Sequence, residues 1–251
     1  MKRTRLPLVL IASLALTAAF AAPNAEVKIT DSGKGYQVVT HQRRAFGLNY
    51  EKEMENFAKA DKADPRTGGI VFTGSSSMVL WRSVVADMAP LPVVNRGFGG
   101  SNSPQLWWYA DRAVLPRKPR LVVVYIGDND TVSPSVGVGN YMKYVRLFRD
   151  EVWAQSPRTR LIFLSIKPSR SRWSVWPKSQ EANRRLARMC SRDPRLTYVD
   201  VSQTLLDAKG EPRAELYLSD ELHMKPESYK AWTAVVRPVV ERVWAEIQAE
   251  E

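Results

Sequence analysis

From Gly69 onward the sequence alternates, five times over, between a short apolar run rich in β-branched residues and a longer segment of helical period. The runs are Ile70–Thr73, Pro92–Asn95, Leu121–Ile126, Leu161–Ile166 and Leu196–Val201. Each is nearly continuous in apolar side chains, so neither face of the resulting strands can be left to water. The pattern predicts an α/β chain: a three-layer α/β/α, flavodoxin-like, doubly wound fold with a five-stranded parallel sheet flanked by helices. Within the intervening segments, Gly139–Gln155 places Tyr141, Val145, Phe148 and Val152 on one helical face. The final segment, Pro226–Gln248, carries Trp232, Val235, Val236, Val239, Val240 and Val243, with a bend expected at Pro238. Ahead of the sheet, residues 25–49 are polar with β-like stretches at Glu26–Thr30 and Tyr36–Thr40, and Tyr50–Lys62 has the pattern of an amphipathic helix. Residues 25–62 are read as an extension packed on a single domain spanning 22–251. No internal repeat or long linker divides that span.

The first residues have a different character. Met1-Lys2-Arg3-Thr4-Arg5 precedes Leu6–Ala22, which is apolar apart from Ser13 and Thr17 and ends in small residues at Ala19-Phe20-Ala21. A basic start, an apolar stretch of this length and an A-x-A arrangement are the features of a secretory signal. Residues 1–21 are therefore expected to be cleaved, leaving a periplasmic or secreted chain that does not span the membrane; the alternative is an uncleaved anchor. Setting aside Lys2, Arg3 and Arg5 lowers the formal charge from +11 to +8. The remaining arginines (Arg43-Arg44, Arg170, Arg172 and Arg184-Arg185 among them) are dispersed and do not form a stripe interleaved with aromatics, which argues against a nucleic-acid partner. Oligomeric state is not readable from the sequence.

Two scarcities narrow the chemistry. One cysteine, Cys190, cannot form an internal disulfide or a multi-cysteine metal cluster. Two histidines, His41 and His223, leave two candidates for an imidazole base and too few for a three-histidine zinc site. No metal or other cofactor is expected.

In an open parallel sheet, ligands bind beyond the carboxyl ends of the strands. Four segments fall there: Thr73-Gly74-Ser75-Ser76-Ser77, Asn95-Arg96-Gly97-Phe98-Gly99-Gly100-Ser101, Gly127-Asp128-Asn129-Asp130 and Ser219-Asp220-Glu221-Leu222-His223. A serine hydroxyl needs a base within hydrogen-bond reach, and the base needs an acid to fix its tautomer. Asp220 and His223, three residues apart, can supply both from one turn, whereas His41 has no carboxylate in its immediate sequence. An oxyanion pocket can be assembled from a backbone N–H of the glycine turn, the Asn129 amide and the N–H of the nucleophile itself.

In these four segments the sequence resembles the SGNH hydrolases, or GDSL esterase and lipase family, over Gly69 to Trp244. Aligning Gly74 with the glycine of the family's Gly-Asp-Ser-Leu implies Ser76 as nucleophile, with Asp220 and His223 as its catalytic partners. The second block implies Gly100, and the Gly-x-Asn-Asp block Asn129, as oxyanion donors beside the Ser76 N–H. Ser75 departs from the family's Asp, and Ser77 from its usual aliphatic residue. The resemblance implies metal-independent hydrolysis through an acyl-enzyme, and the four segments lead to the expectation of an exported serine esterase acting on small-molecule or polysaccharide O-acyl esters with short acyl groups, with carbohydrate deacetylation suggested by the tryptophans. Thioesterase or lysophospholipase activity on the same triad, and a non-catalytic envelope-binding module, are the alternatives. Trp81, Trp107, Trp108, Trp173 and Trp176 are candidate sugar platforms or core residues. Trp108, Trp173 and Arg172 are taken as substrate-binding candidates, with Arg170 and Arg172 facing an anionic substrate or simply solvent.

Overall fold

A computed structural model of the chain describes residues 28–31, 37–40, 50–133 and 137–250. The proposed export signal at 1–21 and His41 lie outside these residues. The chain divides at Gly47 into two compact units. In the first, Lys28–Asp31 and Gln37–Thr40 pair as antiparallel strands in the register Lys28 with Thr40.

The second unit is the expected α/β assembly. Its five strands are β1 (Ile70–Gly74), β2 (Val93–Gly97), β3 (Leu121–Tyr125), β4 (Arg160–Leu164) and β5 (Leu196–Val199), all parallel in the spatial order 2-1-3-4-5. The helices used below are α1 (Glu51–Ala63), α2 (Ser76–Leu80), α3 (Ser103–Trp108), α4 (Asp128–Val132), α5 (Gly137–Gln155), α6 (Trp176–Cys190) and α7 (Pro226–Ala249), the last helical through Pro238.

Alternation along the strands divides the core in two. Val71, Val122, Val124, Leu161 and Phe163 pack with Met54 of α1, Leu106 of α3, Tyr141, Val145 and Phe148 of α5 and Leu186 of α6. Ile70, Phe72, Leu121, Val123, Tyr125, Ile162 and Leu164 pack on the other side with Met78 of α2 and Trp232, Val236, Val240 and Val243 of α7. Both faces of β1 and β3 are buried along their length, which is why their sequences show no polar alternation. Helix α1 belongs to this unit: besides burying Met54, its Asp61 receives the buried guanidinium groups of Arg96 and Arg117.

Two strands, β4 and β5, end two residues before their apolar runs. The Ile166 N–H is taken by Asn183 Oδ1 at 2.7 Å, and the N–H groups of Val201 and Ser202 by Ser165 Oγ at 3.0 and 3.1 Å. Side chains thus replace the ladder before the hydrophobic pattern stops.

At the end of β1 the chain comes so close to β3 that a Cβ on Gly74 would lie 1.8 Å from the Tyr125 carbonyl oxygen, and Gly74 has φ +134°. Both the contact and the dihedral exclude a side chain. Gly74→Ala is expected to destabilise the protein by ~3 kcal/mol or more, read as a lowered midpoint in chemical denaturation; a shift under ~1 kcal/mol would contradict the geometry.

Candidate active site

The four segments converge at the carboxyl edge of the sheet. Ser75 precedes α2 in an extended conformation (φ −86°, ψ −161°), and its N–H donates to the Tyr125 carbonyl at 3.1 Å. Ser76 thereby opens α2, where a first-turn N–H has no intrahelical acceptor. Among the three consecutive serines the surroundings differ. Ser75 Oγ is buried, Ser77 is turned inward toward the Tyr125 hydroxyl, and Ser76 Oγ lies 3.0 Å from His223 Nε2.

His223 Nδ1 is 2.5 Å from Asp220 Oδ2, while Asp220 Oδ1 accepts the N–H groups of Leu222 (3.0 Å) and His223 (2.9 Å). Burial pushes the Asp220 carboxyl up, but the His223 ring and these two backbone donors outweigh it and bring the carboxyl down to about 2. The segment is a narrow loop closed by the antiparallel bridge Tyr217 to Met224 and by Leu218 N–H to the His223 carbonyl at 2.7 Å. At its tip Glu221 takes φ +55°, a region L-residues with side chains rarely adopt. The neighbouring carbonyls are held from outside: Glu221 O by the Ser171 N–H (3.3 Å) and hydroxyl (3.2 Å), Leu222 O by Lys167 Nζ (2.8 Å).

Gly100 sits at φ +76° in the turn after β2. That turn is anchored on either side: the Tyr50 hydroxyl donates to the Gly99 carbonyl at 3.0 Å, and Asn129 Nδ2 to the Ser101 carbonyl at 2.9 Å. Asn129 is in the first turn of α4, half-buried, with Oδ1 accepting from Arg172 Nη2 at 2.9 Å. The structure therefore brings Ser76, His223 and Asp220 into one hydrogen-bonded chain and sets Asn129 against the turn that carries Gly100.

The substrate-binding candidates separate. Trp81 is fully buried and Trp176 nearly so, while Trp107 and Trp108 pack against the core, so none of these is an open platform. Trp173 is 37% exposed and stacks on Trp176 (6.0 Å, 14°). It lines a cleft of about 680 Å³ with Arg170, Asp207, Arg213, Glu215 and Glu221. Arg172 is only partly exposed and does not line that cleft: Nη1 pairs with Asp128 Oδ1 at 2.7 Å and Nη2 with Asn129. Arg170 lies 3.4 Å from Glu221 in a half-exposed pair.

Several contributors escape sequence inspection. Asp128, in the third block, is buried against Lys167 (3.1 Å) and Arg172, with the Tyr125 hydroxyl at 3.2 Å. Burial pushes its carboxyl up, but the two cations hold it below the ordinary range. Lys167 is the one signal the sequence offers, a cation directly after an apolar strand run. Asp130, fully buried, accepts the N–H and the hydroxyl of Ser103 at the start of α3. Among the described residues no cluster of three or more His, Cys, Asp or Glu could hold a metal ion, and no helix is long and apolar enough to cross a membrane.

Asp130 yields a measurable consequence. Burial raises its carboxyl from 3.8 to about 6 despite the bonds from Ser103. The unfolded chain releases this proton first, so the contribution of Asp130 to stability is full below pH ~4 and declines as pH rises through ~6. Carboxyl ¹³C NMR should show Asp130 titrating near 6; a midpoint at the ordinary 3.8 would contradict the assignment.

Comparison with known proteins agrees with this fold. A GDSL-like lipase from Bacteroides thetaiotaomicron shares the fold with TM-score 0.66 at 20% identity, covering 78% of this chain and 98% of that one. An acetyl-xylooligosaccharide esterase from Geobacillus stearothermophilus does so with TM-score 0.54 at 14% identity, over 68% and 93%. The GDSL esterase/lipase WDL1 of Oryza sativa subsp. japonica is 32% identical over 100 residues, 35% of this chain; the match spans 38% of the rice protein. The model of the GDSL-like lipase/acylhydrolase family matches residues 67–231, well over half of the sequence and all four segments, and the chain belongs to that family.

Proposed function

We propose that the protein is an exported serine esterase that removes short acyl groups, of acetyl type, from O-acylated substrates, carbohydrates among them. The observation that carries this reading is the chain Ser76 Oγ, His223 Nε2, His223 Nδ1, Asp220 Oδ2, with separations of 3.0 and 2.5 Å across the two hydrogen bonds. In the proposed reaction Ser76 Oγ attacks the ester carbonyl while His223 Nε2 takes its proton, and Asp220 keeps the other ring nitrogen protonated and steadies the imidazolium. The carbonyl oxygen, now anionic, is received by the N–H groups of Ser76 and Gly100 and by the Asn129 amide. His223 returns the proton to the departing alcohol. Water, activated by the same imidazole, then cleaves the acyl-enzyme and frees Ser76.

The inclusion of sugar esters among the substrates rests on the Trp173 cleft. An exposed indole beside several carboxylates and guanidinium groups suits a sugar ring, whose C–H face stacks and whose hydroxyls take hydrogen bonds. Glu221 puts this cleft next to the acid–base loop. The acetyl-xylooligosaccharide esterase that shares the fold supports the same direction. Export rests on the basic and apolar segment at residues 1–21, and amino-terminal sequencing of the secreted protein should begin at Ala22.

The test is a panel of chromogenic acetate, butyrate and octanoate esters, a thioester and acetylated xylo-oligosaccharides. Ser76→Ala and His223→Ala should each lower kcat by ~10³-fold or more, and Asn129→Ala by ~10²-fold. Trp173→Ala should raise KM for the acetylated oligosaccharide by about tenfold and leave the small acetate ester nearly unchanged. Full activity in His223→Ala would sink the mechanism, and preference for octanoate would overturn the acyl assignment.

A further inference from the structure

We propose that Arg172 is a positioning residue of this site: it fixes the orientation of the Asn129 amide so that an N–H faces the oxyanion, and it joins that amide, through Asp128, to the lysine that holds the acid–base loop. The inference rests on the esterase reading above and adds a residue that reading does not need.

An asparagine side chain is nearly symmetric in shape but not in chemistry. Rotated by half a turn, Asn129 would aim a carbonyl oxygen at the developing oxyanion and oppose the reaction. Its partners decide between the two states. Arg172 is donor-only and stands 2.9 Å from Oδ1; the Ser101 carbonyl is acceptor-only and stands 2.9 Å from Nδ2. Flipping the amide would set donor against donor and acceptor against acceptor, forfeiting two hydrogen bonds, one of them charge-assisted. Of the two Nδ2 hydrogens one is spent on Ser101, which leaves the other for substrate. A cation on Oδ1 also withdraws electron density from the amide nitrogen and makes its remaining N–H a stronger donor.

Arg172 is itself held. Its side chain is 19% exposed, and Nη1 is fixed at 2.7 Å by Asp128 Oδ1. The other Asp128 oxygen meets Lys167 Nζ at 3.1 Å and the Tyr125 hydroxyl at 3.2 Å. Lys167, whose side chain is wholly buried, donates on to the Leu222 carbonyl between Asp220 and His223, and the Tyr125 hydroxyl receives Ser77 beside the nucleophile. One buried cluster therefore touches the oxyanion amide, the acid–base loop and the first turn of α2. Lysine at position 172 would not serve equally, because a single ammonium lacks the planar fork that bonds Asp128 and Asn129 together.

The experiment is a double-mutant cycle in the full protein: Arg172→Met, Arg172→Lys, Asn129→Ala and Asn129→Ala/Arg172→Met. It is read as kcat and KM on a chromogenic acetate and as the rate of Ser76 labelling by a fluorophosphonate. In labelling, the Oγ–P bond forms, fluoride leaves and the serine proton passes to His223, so the rate reports the oxyanion pocket without turnover. Arg172→Met should lower kcat and the labelling rate about 10- to 100-fold, and Arg172→Lys should recover only a small part. KM should stay within about twofold, and in the Asn129→Ala background the Arg172 substitution should cost less than about twofold. Unchanged kcat in Arg172→Met, losses that multiply in the double variant, or a rise in KM alone would overturn the proposal. If circular dichroism shows Arg172→Met unfolded, the cycle is read instead with Arg172→Lys and Asn129→Ala/Arg172→Lys, which keep a cation beside Asp128 but lose the fork: Arg172→Lys should still lower kcat and the labelling rate several-fold and cost less than about twofold in the Asn129→Ala background, and an unchanged kcat would overturn the proposal. A wild-type protein that neither hydrolyses esters nor is labelled would overturn the esterase reading and this inference together; an active wild type with multiplying losses overturns this inference alone.

Discussion

Everything at the carboxyl edge of the sheet is measured from the contact between Gly74 and Tyr125. There β1 leaves the sheet by pressing its backbone onto β3 where only a hydrogen atom fits, and the Ser75 N–H bonds the same carbonyl. Two residues beyond Tyr125, Gly127 turns the chain into α4 and brings up Asn129. The candidate nucleophile and the candidate oxyanion amide are thus referenced to one peptide unit, without long side chains intervening. A backbone contact is stiffer than any rotamer, and positioning tolerances of about 0.5 Å are what such sites need.

The candidate acid–base pair has no comparable anchor, since Asp220 and His223 lie on a loop and not at a strand end. Their placement depends on donors reaching in from the segment after β4: Lys167 to the Leu222 carbonyl and Ser171 to that of Glu221. Burying Lys167, Asp128 and part of Arg172 costs several kcal/mol per ion before pairing, and mutual attraction plus hydrogen bonds must offset it. The cluster is not neutral: two cations face one carboxylate. A surplus positive charge beneath Asn129 disfavours the resting protein slightly and favours any state in which negative charge grows nearby, which is the direction the proposed reaction needs.

The strands were legible in the sequence because a strand buried on both faces writes itself as an unbroken apolar run, and the four chemical segments because loops at the carboxyl edge concentrate glycine, serine, asparagine and histidine. Strand ends were less legible: Ile166, Val201 and Ser202 leave the ladder because Asn183 and Ser165 capture their N–H groups, and those captors are distant in sequence or mute in pattern. The tryptophans were ambiguous for a related reason. An indole fills a core and binds a sugar with the same surface, so only burial separates Trp81 from Trp173. The Asp128 to Arg172 bond joins residues 44 apart, and nothing local to either announces it.

One short segment, Arg170–Val175, meets three parts of this site at once. Ser171 holds the Asp220–His223 loop, Arg172 the amide of Asn129, and Trp173 lines the open cleft. Because these are consecutive residues of one short segment, kinked at Arg172, the cleft cannot be reshaped by shifting this backbone without moving the donors that set the geometry of the candidate site. Specificity changes compatible with activity are therefore confined to side-chain replacement at Trp173 and Arg170 or to the opposite wall at Asp207–Glu215, where no residue bonds Asp220, His223 or Asn129 among the described contacts.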